Sequence, residues 1–130
     1  MFCIFLIMCY IVWRKVLKYF ENELTRIYLG DCVNVLSELE DSSIDLVFAD
    51  PPYNIGKKFS NFHDYWESDI EYAEWCYKWL ELCIKKLKPN GSLYVMSSTQ
   101  AMPFIDIWLR NRMTILSRIV WHYDSSGILS

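Results

Sequence analysis

Apolar and polar residues follow two arrangements along this chain: short solid apolar runs, and stripes that return every three or four positions. Ile44-Asp45-Leu46-Val47-Phe48-Ala49 is a run of strand length rich in Ile, Val and Phe, the pattern of a strand buried on both faces in a parallel sheet. Arg26-Ile27-Tyr28-Leu29 predicts a short strand ended by Gly30-Asp31, Ser92 to Ser97 predicts another, and Thr114 to His122 a further one. Stripes lie between the runs. Val33, Leu36 and Leu39 place a helix from Cys32 to about Glu38, and Asp41-Ser42-Ser43 turns the chain into the central strand. Tyr72, Trp75, Cys76, Trp79, Leu80, Cys83 and Leu87 predict an amphipathic helix over Ile70 to Lys88. Lysines gather in its last turn, where the helix dipole favours cations, and Pro89-Asn90-Gly91 is the expected stop. A third helix is expected to run to about Arg112, with Ser97, Ser98 and Gln100 at a strand's carboxyl end or capping that helix. The alternation of strand and helix argues for a doubly wound α/β sheet, parallel for the most part.

Two segments fall outside this alternation. Asn54 to Trp66 is polar and aromatic, with Phe59, Phe62, Tyr65 and Trp66; a loop of that length inside a domain is usually functional or mobile. Trp66 is placed either near a ligand or over the core, and His63 has no assigned role. Residues 1–23 are read as an apolar extension, helical, ahead of a domain over residues 24–130. Met1 to Trp13 is apolar throughout and precedes Arg14, Lys15 and Lys18. As a helix those 13 residues would span about 20 Å, short of the ~30 Å hydrocarbon core of a bilayer. No basic stretch precedes the run and no small-residue cleavage site follows it, so a secretory signal is not indicated. Packing on the core is the favoured reading; an interfacial anchor and translation from an upstream start are the alternatives.

Composition narrows the classes. With 130 residues, 53% apolar and 22% charged, the chain forms a core and is one domain or part of one. A net charge of −3 supplies no global basic field for nucleic acid. Lys57-Lys58 is a local exception, or simply a solvated pair. The cysteines at 3, 9, 32, 76 and 83 show no C-x-x-C spacing, and only His63 and His122 could join them. Neither a disulfide framework nor a metal site is expected. Reduced thiols in a cytoplasmic protein without a membrane span are the plain reading.

The candidate chemistry sits at Asp50-Pro51-Pro52-Tyr53-Asn54, directly after the central run. Two prolines cannot continue a ladder, and the residue before a proline is pushed to extended geometry. Asp50 is therefore expected at the strand's carboxyl end, the edge where open α/β sheets bind ligands. A carboxylate, exposed peptide oxygens and an aromatic ring suit an exocyclic amino group on a nucleic-acid base. Its lone pair is delocalised into the ring, and two acceptors gripping both N–H bonds turn the nitrogen towards tetrahedral geometry. Asp50 and the Pro51 carbonyl are the candidate acceptors, and Tyr53 the ring that stacks on a flipped base. The alternative is a rigid strand-to-loop turn and nothing more.

Asp50-Pro51-Pro52-Tyr53 after an apolar strand resembles the catalytic motif of the DNA amino-methyltransferases, which methylate adenine N6 or cytosine N4. The likeness runs from about Thr25 to Ser126. It takes in Leu29-Gly30-Asp31-Cys32, the central run with its motif, Leu87-Lys88-Pro89-Asn90-Gly91-Ser92-Leu93 and Ile119-Val120-Trp121-His122-Tyr123-Asp124, in family order. The resemblance implies a partial Rossmann-like fold of the S-adenosylmethionine-dependent methyltransferases, α/β, with a mostly parallel sheet and flanking helices. It implies Asp50, Pro51, Pro52 and Tyr53 as catalytic, and Asp31, Cys32 and Asp50 as cofactor-binding. Tyr53, Trp121 and Tyr123 become the base-stacking candidates, with Asp31 also able to cap the helix that follows it. The segment after Asn54 resembles a loop that closes over substrate. Double-stranded DNA is the implied partner, with a cognate restriction enzyme as a further one.

The family holds its cofactor with a Phe-x-Gly-x-Gly loop, and the glycines at 30, 56, 91 and 127 are not spaced that way. In a permuted subgroup the Asp-Pro-Pro-Tyr half precedes the recognition region and the glycine-rich half. The chain resembles that first half, so a fragment, or one part of a split enzyme with a complementing C-terminal half, is expected. Aspartate at the motif's first position leans towards adenine. Cytosine-N4 methylation, an inactive remnant or non-enzymatic subunit, and methylation of an amide or of RNA are the alternatives.

Overall fold

The structure, a computed structural model, describes residues 4–7, 17–59 and 62–122, with the backbone only at 4–7, 17, 59 and 62. In chain order the elements are β1 (Ile4–Ile7), β2 (Leu17–Glu21), β3 (Arg26–Leu29), α1 (Cys32–Glu38), β4 (Ile44–Ala49), β5 (Lys58–Phe59), β6 (Phe62–His63), α2 (Asp69–Lys86), β7 (Leu87–Val95) and α3 (Met102–Arg110). β4 is the middle strand of a three-stranded parallel sheet in the order β1-β4-β7. Val47 and Ala49 are wholly buried there, as the apolar run requires. α1 and α3 both pack against α2, whose Tyr72, Cys76, Trp79, Leu80 and Cys83 join Leu36, Ile44, Val47 and Ile105 in one core. Each large side chain so buried contributes about 1.5–3 kcal/mol. The 3.6-residue stripe and the apolar run thus meet as expected, and the α/β class with a parallel sheet stands.

α1 starts where Asp31 accepts a hydrogen bond from the Val33 N–H at 2.8 Å. α2 starts at Ser68, whose Oγ accepts from the Glu71 N–H at 3.1 Å. It carries Lys85 and Lys86 in its last turn. Lys86 is buried and donates to the Leu39 carbonyl at 2.7 Å and Asp41 Oδ1 at 2.6 Å. Lys88 grips Asp45 with both carboxylate oxygens within 2.9 Å. These pairs tie the end of α2 and the start of β7 to the entrance of β4.

Four expectations need correction. Residues 1–23 do not form a helix where they are described: Ile4–Ile7 and Leu17–Glu21 are strands. Ile and Phe favour extended backbone, and β4 offers an open ladder that a helix cannot use. The rest of that extension lies outside the described residues. Arg26–Leu29 is a strand but belongs to a separate antiparallel ribbon with β2, not to the parallel sheet. Its Ile27 and Leu29 are exposed, so the face that carries them is not covered by the core.

Pro89-Asn90-Gly91 does not stop α2, which ends at Lys86. Ile44 pairs with Leu87 and Leu46 already with Ser92, so Lys88 to Gly91 loops out inside β7. Proline is tolerated at such an irregularity. Gly91 is needed there: a Cβ would come within 2.8 Å of the Leu87 side chain and 3.1 Å of the Ile44 carbonyl. Finally, residues 114–122 are irregular rather than a strand. Apolar letters suffice for a strand pattern, but the sheet supplies this stretch with no ladder. Among the described residues no helix is long and apolar enough to cross a membrane.

Candidate active site

β4 ends at Ala49, whose carbonyl accepts a last sheet bond from the Met96 N–H at 2.9 Å. Beyond it Pro51 and Pro52 have no N–H to donate, so Asp50 leaves the sheet at its carboxyl edge. Pro51 is buried, and Asp50, Pro52 and Tyr53 are half-buried. The Tyr53 hydroxyl donates to Asp50 Oδ1. Burial first, and that hydrogen bond second, raise the Tyr53 phenol well above its ordinary pKa. Asp50 thus faces a neutral donor, and no lysine or arginine among the described residues ion-pairs with it.

The turn is held from two sides. Tyr72, on the first turns of α2, donates to the Pro52 carbonyl at 2.6 Å, which fixes the second proline against the core. Burial raises that phenol's pKa too. The Ser97 hydroxyl lies beside it, lowering that pKa, yet makes no hydrogen bond of ordinary geometry. On the other side stands Asp64, buried at 2% exposure. Its Oδ1 accepts from the Asn54 N–H at 2.7 Å and its Oδ2 from the Ile55 N–H at 3.2 Å. Asn54 Oδ1 in turn accepts from the Trp66 N–H at 2.8 Å.

The described residues between Asn54 and Trp66 are therefore organised, around the antiparallel pairing of β5 with β6, rather than a featureless loop. Trp66 lies over the core, packed on Tyr72 and Trp75 at centroid distances of 5.0 and 4.9 Å. His63 stacks on Tyr65. An open cleft of about 550 Å³ runs beside the turn, between Asn54, Ile55, Trp66, Asp69, Ser98 and Gln100. Asp50 and Tyr53 border it in sequence but do not line it.

Residues 44–130 match the DNA methylase family, and the match begins with the strand that carries Asp50. The chain belongs to the DNA methylase family. The chain is 47% identical over 109 residues to the DNA adenine methyltransferase YhdJ of Escherichia coli, covering 84% of the chain and 37% of that relative. It is 38% identical over 111 residues to the type II methyltransferase M.BglII of Bacillus subtilis, covering 78% and 30%. With M.BamHI of Bacillus amyloliquefaciens the identity is 31% over 100 residues, covering 77% and 24%. The chain thus spans well under half the length of these relatives.

Among the described residues the Asp50 side chain is hydrogen-bonded to Tyr53 and to no other expected site residue. Asp31 caps α1 at the end of the β2–β3 ribbon, and Cys32 is 9% exposed in the core. Trp121 is 77% exposed on the irregular segment and stands in no ring contact among the described residues. Tyr123 lies outside the described residues. Conversely, Asp64 and Tyr72 hold the turn without being singled out by pattern. Tyr72 reads as one more position of a core stripe, and its hydroxyl is what sets it apart. Asp64 is a carboxylate enclosed by Phe62, His63, Tyr65 and Trp66, an unusual setting that was the available signal. Among the described residues no group of His, Cys, Asp and Glu is arranged to hold a metal.

Proposed function

We propose that this DNA methylase chain supplies the catalytic-motif half of a site-specific adenine-N6 DNA methyltransferase with a partial Rossmann-like fold. The observation that carries the reading is Asp50 at the carboxyl edge of the middle strand, already accepting a hydrogen bond from a neutral donor. A base amine would take the place of the Tyr53 hydroxyl. Asp50 would accept one of its N–H bonds, and the Pro51 carbonyl the other. Charge assistance makes the carboxylate the stronger acceptor, and the pair would hold the nitrogen with its lone pair directed at the methyl carbon. The base would be flipped from double-stranded DNA onto the Tyr53 ring, with Trp121 and Tyr123 as candidates for its other face. Once a bound donor had methylated the amine nitrogen, Asp50 or water would take the proton that the amine loses. No covalent bond to the protein is needed.

S-adenosylmethionine, when bound, supplies a methyl group made electrophilic by the sulfonium. The carboxylates of Asp31 and Asp50 suit its hydroxyl and amino groups, and a carboxylate retains acceptor capacity after one hydrogen bond. Cys32 would add backbone at the start of α1. No glycine-rich pair of the family kind is present, so these residues make up only part of a cofactor cradle. Coverage of 24–37% of the relatives supports a second reading, a subunit that acts only with a complementing half.

The test is methylation of plasmid DNA by the full chain, alone and with the C-terminal part of a relative, followed by digestion to nucleosides. N6-methyladenine that disappears with Asp50→Ala is the expected product. N4-methylcytosine in its place would overturn the adenine assignment, and full activity of Asp50→Ala would overturn the mechanism.

A further inference from the structure

We infer that Asp64 is the positioning residue of the Asp50–Tyr53 turn: its buried carboxylate fixes the backbone that aims the two amine acceptors. The inference rests on the reading of that turn as the amine site.

Four hydrogen bonds leave this one residue. Its carboxylate takes the Asn54 and Ile55 N–H groups. Its carbonyl accepts from the Gly56 N–H at 2.8 Å, and its own N–H donates to the Lys57 carbonyl at 3.0 Å. Asn54 and Gly56 adopt left-handed backbone, with φ of 58° and 73°. Successive N–H groups in such a bend converge on a concave site for an anion, and here the anion is the chain's own side chain. Glycine takes φ of this sign freely, but Asn54 does so at a cost that surrounding contacts must offset.

The position of these bonds gives them their role. Asn54 directly follows Tyr53, so fixing its peptide plane restrains the backbone that carries the Tyr53 ring and, through the Tyr53 hydroxyl, the Asp50 carboxylate to which it donates. Tyr72 restrains the turn at Pro52, leaving Asp64 to restrain its exit. Burying a carboxylate is costly unless it is hydrogen-bonded, and an apolar residue would fill the same space more simply. What an apolar residue cannot do is hold two adjacent amides in one orientation. Since Asp64 also closes the β5–β6 hairpin, displacement of the hairpin is transmitted to the acceptors.

The experiment compares Asp64→Asn, Asp64→Glu and Asp64→Ala in the full chain, in two measurements. Amide hydrogen exchange should show Asn54 and Ile55 exchanging at least about tenfold faster in Asp64→Asn, with β4 and α2 unchanged. Methyl transfer should show kcat down by about ten- to a hundredfold with KM for DNA nearly constant, partly restored in Asp64→Glu. Unchanged exchange at Asn54 and Ile55, or an unchanged kcat, overturns the inference. If the parent chain transfers no methyl group even together with the C-terminal part of a relative, the amine-site reading fails by itself. Exchange then still decides whether Asp64 holds the turn. Asp64→Asn preserves shape and one acceptor, so it covers the case in which Asp64→Ala does not fold.

Discussion

Tyr53 contributes two groups with opposed effects on a base: a ring that can stack beneath it and a hydroxyl that occupies Asp50. Tyr53→Phe keeps the ring and releases the carboxylate, so base engagement should strengthen a few-fold. Tyr53→Ala removes the stack and should weaken it by about 1–3 kcal/mol. Fluorescence of 2-aminopurine placed at the target position reports both. Ionisation supplies a second prediction at this scale. Burial pushes the Cys76 thiol up to about 12 and raises the Cys83 thiol and the Tyr72 phenol as well. In the unfolded chain these groups ionise at about 8.5 to 10. Below that range neither state loses protons and stability is flat. Above it the unfolded state deprotonates first, so stability falls as pH rises towards the folded values. Urea midpoints measured from pH 7 to 11 should be level and then decline. At this scale the sequence displayed Asp50 and the helix cap at Asp31, because both act on their immediate neighbours. The bonds of Asp64 reach back ten residues across a hairpin, and nothing in the local order of residues announces that pairing.

α2 shows why some elements were legible and others were not. Its stripe of Tyr72, Trp75, Cys76, Trp79, Leu80, Cys83 and Leu87 is written in the sequence at helical period; all are buried except the half-buried Trp75, and Leu87 falls just past the helix end. Trp79, wholly enclosed, should cost about 3–5 kcal/mol as Trp79→Ala, whereas the exposed Lys78→Ala should stay within about 0.5 kcal/mol. Chemical denaturation separates the two. Cys76 and Cys83 face the same core, so iodoacetamide followed by peptide mapping should label them only after unfolding. Residues 114–122 carry strand-like letters as plainly as Ile44–Ala49 does. The difference lies outside the segment. β4 has β1 and β7 on either side, while Leu116, Ile119 and Val120 face solvent. The same reasoning covers Ile4–Ile7, where a ready ladder turned an apolar run into a strand. Local pattern specifies what a segment can form; the availability of a neighbour decides what it does form.

For the molecule as a whole, the distribution of apolar surface carries the last prediction. Leu116, Ile119, Val120 and Trp121 are exposed apolar positions of one irregular segment, each at least 77% accessible. Tyr19, Phe20, Leu24, Ile27 and Leu29 are exposed on and around the β2–β3 ribbon. Single exposed apolar residues are ordinary, but contiguous patches mark surfaces that bind something. A net charge of only −3 provides little repulsion to keep copies apart. The chain by itself should therefore associate in a concentration-dependent way, and sedimentation velocity across a dilution series should show the mean mass falling on dilution. Leu116→Lys with Val120→Lys adds two charges to the irregular segment while leaving the core and the Asp50 turn untouched. That variant should sediment as a monomer with an unchanged unfolding midpoint. Undiminished association would move the sticky surface to the β2–β3 ribbon, where Ile27→Lys becomes the deciding substitution. A wild-type chain that stays monomeric at every concentration would show that these residues are too scattered to form a patch.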